Sequence, residues 1–108
     1  MKTGDVILLP FPFAELTNIK VRPAVVIATT ADKYEDIIVS AISSVVSKNL
    51  NNNEILIEPE SRNGLRVRSV IKVDRIVTVR KESVIAKLGC LSEAQSKTLK
   101  EKFKKLID

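Results

Sequence analysis

The run Ile37-Ile38-Val39-Ser40-Ala41-Ile42-Ser43-Ser44-Val45-Val46 is the stretch on which a reading of the fold turns. Its apolar residues are mostly β-branched, which suits a pleated surface better than a helix. Two-residue alternation sets Ser40, Ile42 and Ser44 on one face and Val39, Ala41 and Ser43 on the other. Before it, Pro23 to Ala28 carries Val25, Val26 and Ile27 and reads as a second buried strand, with Arg22 at its entrance. Asp5 to Leu9 reads as the first, ended by Pro10 and Pro12, and Ala14 to Val21 as a polar, turn-like connection.

After that run, Lys48 to Asn53 has the composition of a hairpin loop. Glu54 to Glu58 is a short alternating strand stopped by Pro59, and Asn63-Gly64 signals a turn because both residues tolerate positive φ. Ser69 to Val73 and Ile76 to Val79 read as two further strands, and Val84 to Leu91 fits either a strand or a short helix. Ser92 with Gln95 makes a capping box, and Leu99, Phe103, Leu106 and Ile107 recur at helical spacing, opposite Lys97, Lys100, Lys104 and Lys105. The expectation is a mostly β (α+β) chain: six or seven short strands in a small barrel, closed by a C-terminal amphipathic helix. With 108 residues and no internal repeat, linker or low-complexity block, residues 1–108 should form one domain.

Composition agrees and narrows the chemistry. Val and Ile number 25, against 10 Leu and 7 Ala. Eighteen Lys and Arg against 13 Asp and Glu give a net charge of +5, which favours a polyanionic partner. From Arg62 to Lys81 there are seven basic residues (Arg62, Arg66, Arg68, Lys72, Arg75, Arg80, Lys81) and one acid, Asp74. That stretch suits a phosphate-tracking surface, or a solvated strand face neutralised by Glu54, Glu58 and Glu60. The chain has no His, which excludes paired-imidazole nuclease chemistry, Ser-His-Asp hydrolysis and histidine metal sites. Cys90 is the single Cys, so neither an internal disulfide nor a thiolate zinc site can form. The opening apolar run is only Val6 to Leu9, too short for a signal segment or a membrane span, and a cytoplasmic location is expected. Base stacking would fall to Phe11, Phe13 or Tyr34, although a Phe such as Phe13 equally serves to plug a barrel end.

Gly4-Asp5-Val6, Val21-Arg22-Pro23, Ala41-Ile42-Ser43, Asn63-Gly64-Leu65, Ser69-Val70-Ile71 and Leu91-Ser92, taken in that order along nearly the full chain, resemble the MazF/PemK family of toxin ribonucleases. The resemblance implies a small SH3-like barrel of the PemK/CcdB toxin type that forms a two-fold dimer. It implies cleavage of single-stranded RNA, mRNA included, at short motifs, without a metal or other cofactor. A cognate antitoxin, acidic and partly disordered, would be the protein partner.

The family's catalytic Arg corresponds to Arg22 and its catalytic Thr to Ser43, a departure that keeps the hydroxyl and loses the methyl that restricts its rotamer. Family contacts to RNA carry over to Phe11, Phe13, Glu15, Asn18 and Lys20 in the first loop and to Ser44 and Lys48 around the end of the third strand. They also carry over to Arg66 and Arg75, the latter at a position usually held by Gln. Glu15 stands near a family glutamate that has no clear counterpart here, since Thr17 and Asn18 occupy that place. Judged by the residues alone, Arg22 could instead pair with Asp5 or Glu15, and Ser43 could bond backbone inside the barrel. Two other functions fit the same barrel: a gyrase-binding CcdB-like toxin, whose C-terminal tryptophan this Trp-free chain lacks, and a non-catalytic RNA-binding barrel.

Overall fold

The computed structural model describes residues 1–10 and 20–108. The strands are β1 (Asp5–Pro10), β2 (Val21–Thr29), β3 (Ile37–Ser43), β4 (Glu54–Ile57), β5 (Ser69–Val79) and β6 (Ala86–Cys90), followed by α1 (Glu93–Lys105). They form one antiparallel sheet in the order β4-β5-β3-β2-β1-β6. The ambiguous stretch before the helix is therefore a strand with a single 3-10 turn, Lys81–Ser83, ahead of it.

β5 departs from the sequence expectation. Ser69–Val73 and Ile76–Val79 are one continuous strand, bent in the middle rather than interrupted. Against β3, Ala41 pairs with Lys72 but Ser40 pairs with Ile76, so Val73, Asp74 and Arg75 bulge out of the ladder. The buried Ser40 hydroxyl donates to the Val73 carbonyl at 2.9 Å and satisfies the backbone that the bulge exposes. A bulge sharpens strand twist, and this one lets β5 line two layers. Its first half packs Ile71 and Val73 against Val6, Val25, Ile42, Ile55, Ile57, Leu91 and Leu99. Its second half packs Val77 and Val79 against Ile7, Leu9, Ala24, Val26, Ile37 and Val39.

β3 also ends earlier than its apolar composition suggests. The Ser43 hydroxyl accepts the Val45 N–H at 3.1 Å, a local side-chain bond that competes with the ladder, and Val45 lies 76% exposed. Helix α1 begins as expected. Ser92 Oγ accepts from the Gln95 N–H and Gln95 Oε1 accepts from the Ser92 N–H, while Leu99, Phe103 and Leu106 face the first apolar layer.

The edges β4 and β6 do not pair; the chain between β4 and β5 bridges them. There the Cys90 N–H of β6 donates to the Arg62 carbonyl at 2.9 Å, and the Gly64 N–H donates to Glu60 O at 3.0 Å. Asn63, 0% exposed, ties this bridge together. Its Oδ1 accepts the Glu60 and Leu65 N–H groups at 3.1 and 3.0 Å, and its Nδ2 donates to Glu58 O at 3.0 Å. Gly64 has φ +69, and a Cβ there would strike the Leu88 carbonyl. A Cβ on Gly89 would strike the Arg62 carbonyl in return, so both crossing backbones need glycine.

Candidate active site

Arg22 is the second residue of β2 and is held extended ahead of Pro23, whose ring disfavours a helical residue before it. β1 holds one side of it through the pairing of Leu9 with Arg22. On the other side, β2 and β3 pair Val25 with Ser40 and Ala24 with Ala41. That ladder stops at Ala24 and Ala41, two residues short of Arg22 and of Ser43.

A groove lies at these strand ends. Leu8, Pro23, Ile42 and Leu88 rise from the sheet, and the bridge supplies Gly64, Leu65, Arg66 and Val67; Arg22, Ser44 and Ser69 complete the lining. Its volume is about 410 Å³, within the usual range of small-molecule pockets. The groove thus collects three residues singled out in the sequence: Arg22, Ser44 and Arg66. Ser43 does not line it; its Oγ accepts the Val45 N–H and keeps its own proton to donate.

The other candidates lie elsewhere. Arg75 is exposed within the β5 bulge and does not border the groove. Lys20 is exposed just ahead of β2, and Lys48 is exposed in the loop after β3. Phe11, Phe13, Glu15 and Asn18 fall outside the described residues. Tyr34 is exposed in the β2–β3 hairpin, with Lys33 Nζ 5.2 Å from its ring centre. Sequence reasoning does not single out Leu8, Leu65, Val67, Ser69 or Leu88 as site residues. The Asn63-Gly64 turn signal is legible in the sequence, but not that the turn folds back on β6.

The basic stretch is partly neutralised. Arg68 meets Glu58 at 2.9 Å, Lys72 meets Glu54 at 3.6 Å, and Lys81 meets Glu35 at 3.6 Å. No carboxylate among the described residues lies within ion-pair distance of Arg62, Arg66, Arg75 or Arg80. Asp5 is engaged by the Lys2 N–H and by Lys87 rather than by Arg22. Among the described residues no three His, Cys, Asp or Glu side chains converge as metal ligands, and no helix is long and apolar enough to cross a membrane.

A guanidinium offers a fork of N–H donors that matches two non-bridging phosphate oxygens, and a neighbouring hydroxyl adds a third donor. Such a pair stabilises charge that builds on a phosphate without itself having to gain or lose a proton.

Comparisons with known proteins agree with this architecture. No curated protein matches the chain. Among solved structures, it is similar to an endoribonuclease in complex with its cognate antitoxin from Mycobacterial species, at TM-score 0.75 and 12% identity over 99% of this chain and 94% of that one. It is similar to the Mycobacterium tuberculosis toxin MazF-mt6, at TM-score 0.70 and 18% identity over 96% of each chain. A third, an endoribonuclease from Mycobacterial species, has TM-score 0.71 and 13% identity over 99% of this chain and 90% of that one. At such identities these likenesses establish the fold. The description "PemK-like, MazF-like toxin of type II toxin-antitoxin system" matches residues 2–107, and the chain belongs to that family.

Proposed function

We propose that this chain, acting as one domain over residues 1–108, is a toxin endoribonuclease that cuts single-stranded RNA by transesterification. The 2′-oxygen of the substrate attacks the adjacent phosphorus and the P–O5′ bond breaks, leaving a 2′,3′-cyclic phosphate and a 5′-hydroxyl. RNA brings its own nucleophile, so the protein's task is to align it and stabilise the pentacovalent transition state. Arg22 would bind the non-bridging oxygens and Ser43 would donate the further hydrogen bond. Arg66, Lys20, Lys48 and Arg75 would hold flanking phosphates or bases, together with Ser44 and the first-loop residues Phe11, Phe13, Glu15 and Asn18.

The observation that supports this reading is the groove at the strand ends, which Arg22, Ser44 and Arg66 line together. A second copy of the chain, completing a two-fold groove, and an acidic antitoxin that covers its basic surface are the proposed partners. The solved endoribonuclease–antitoxin complex supports the latter by fold likeness. Cytoplasmic mRNA is the proposed target.

The test is incubation of purified protein with long single-stranded RNA in EDTA, beside Arg22→Ala and Ser43→Ala, with the new ends mapped. Cleavage is expected to vanish in Arg22→Ala, to fall in Ser43→Ala, and to stop when the nucleotide on the 5′ side of the cut is 2′-deoxy. Equal cleavage by wild type and Arg22→Ala would refute the assignment.

A further inference from the structure

We propose that Asn63-Gly64 is a site of self-modification which the folded bridge keeps closed, and that opening of the bridge converts the asparagine irreversibly to aspartate or isoaspartate. The inference does not depend on the endoribonuclease reading.

The chemistry resides in two adjacent residues. In the open chain the Gly64 nitrogen, once a solvent base has taken its proton, bonds to the side-chain amide carbon of Asn63. The Cγ–Nδ2 bond then breaks, and ammonia leaves with a proton drawn from solvent. Water opens the resulting cyclic imide at either carbonyl, giving aspartate or, with the main chain rerouted through the side chain, isoaspartate. Water is the only co-reactant. Glycine obstructs this ring closure least, because it has no Cβ beside the attacking nitrogen. Asn63-Gly64 is the single Asn-Gly step in the chain. Asn49, Asn51 and Asn52 are exposed, but each precedes a residue with a side chain.

The fold sets the most reactive step where solvent reaches it least. Asn63 is wholly buried. Its Oδ1 is held by the Glu60 and Leu65 N–H groups and its Nδ2 by the Glu58 carbonyl. The Gly64 N–H donates to the Glu60 carbonyl at 3.0 Å, so the proton that has to leave is itself engaged. Gly64 also lies against the Leu88 carbonyl of β6 with no room for a Cβ, and the Cys90 N–H holds the Arg62 carbonyl just before it. Ring closure therefore requires the turn to leave β6. Neither Asn63 nor Gly64 belongs to the two apolar layers, so this opening can be local and need not await unfolding of the core.

The product cannot return to the same place. Aspartate at position 63 sets a second acceptor against the Glu58 carbonyl, where Nδ2 donated, and buries a charge in a site built for a neutral amide. Isoaspartate adds a methylene to the main chain inside a turn that has no space for a Cβ. Opening is thus recorded covalently, and the bridge acts as a one-way latch.

Two measurements test closure and latch separately. In the first, the whole chain is kept in native buffer and, in parallel, unfolded in guanidinium chloride, and mass spectrometry follows the gain of about 1 Da at the Asn63 peptide. Conversion should be about a hundredfold or more slower in the folded chain, as three hydrogen bonds of ordinary net strength imply. Hydrogen exchange at the Leu65 and Cys90 N–H groups reports the same opening, so their protection should match this slowing. Equal conversion in folded and unfolded chains, no conversion in either, or a departure of more than about tenfold from the exchange-measured opening would overturn the closure.

In the second measurement, a half-converted sample is refolded so that modified and unmodified chains share one solution. Only unmodified chains should regain protection at the Leu65 and Cys90 amides, and Asn63→Asp should lack it without any conversion having taken place. Equal protection in both populations, or wild-type protection in Asn63→Asp, would refute the latch.

Discussion

Asn63→Ala should unravel the bridge that both closes the barrel and builds the groove. The side chain is wholly buried and makes three hydrogen bonds, to Glu60 N–H, Leu65 N–H and Glu58 C=O. Truncation removes all three and strands two donors and one acceptor. A buried polar group left unpaired costs about 1–3 kcal/mol, and the lower end applies where water can reach the exposed neighbours Glu58 and Glu60. The expected loss is about 3 kcal/mol, which for a chain of this length lowers Tm by roughly 12–20 °C. Urea unfolding with linear extrapolation, checked by calorimetry for two-state behaviour, measures it. Because Leu65, Arg66 and Val67 hang from the same turn, RNA cleavage at a temperature where the variant is still folded should fall as well. A stability change below about 1 kcal/mol would refute the claim that the Asn63 bonds hold the bridge.

The crossing of Gly64 and Gly89 predicts that Gly64→Ala and Gly89→Ala each destabilise more than Asn63→Ala, since a carbonyl rather than a flexible side chain meets the new Cβ; soluble yield and urea midpoints decide this. Ser92→Ala removes the cap of α1 and should cost about 1 kcal/mol, read from the same unfolding curves. The Arg68–Glu58 pair is 60% exposed on both sides, so a double-mutant cycle should give a coupling under about 1 kcal/mol despite the short 2.9 Å contact. If Arg66 holds a phosphate, Arg66→Ala should weaken RNA binding at every sequence alike and flatten the logarithmic salt dependence by roughly 0.7 for each phosphate the guanidinium neutralises.

The strands were legible where side-chain chemistry is local. β-Branched runs located β1, β2, β4 and most of β3, and the capping box located α1, because each signal depends on neighbours a few residues away. The misreadings share one cause. Val73-Asp74-Arg75 looks like a break between strands because an acid and a base interrupt the apolar run, whereas the chain absorbs them as a bulge closed by Ser40, a residue 33 positions upstream. Val45 and Val46 look like strand and are not, because the Ser43 hydroxyl takes up the Val45 N–H.

The candidate site divides in the same way. From the order of residues alone came the alternation that separates Ser43 from Ser44, the Arg-Pro entrance to β2, the basic stretch and the family resemblance, since all of these are properties of neighbours along the chain. Only the folded molecule decided that Leu65 and Val67 wall a groove with Leu8 and Leu88, and that Arg22 and Ser44 border it. It also decided that Arg66 borders this groove while Arg75 does not. Those outcomes depend on long-range pairing and on one buried asparagine drawing a loop across the barrel's open edge. No local periodicity encodes which distant backbone such a loop will meet.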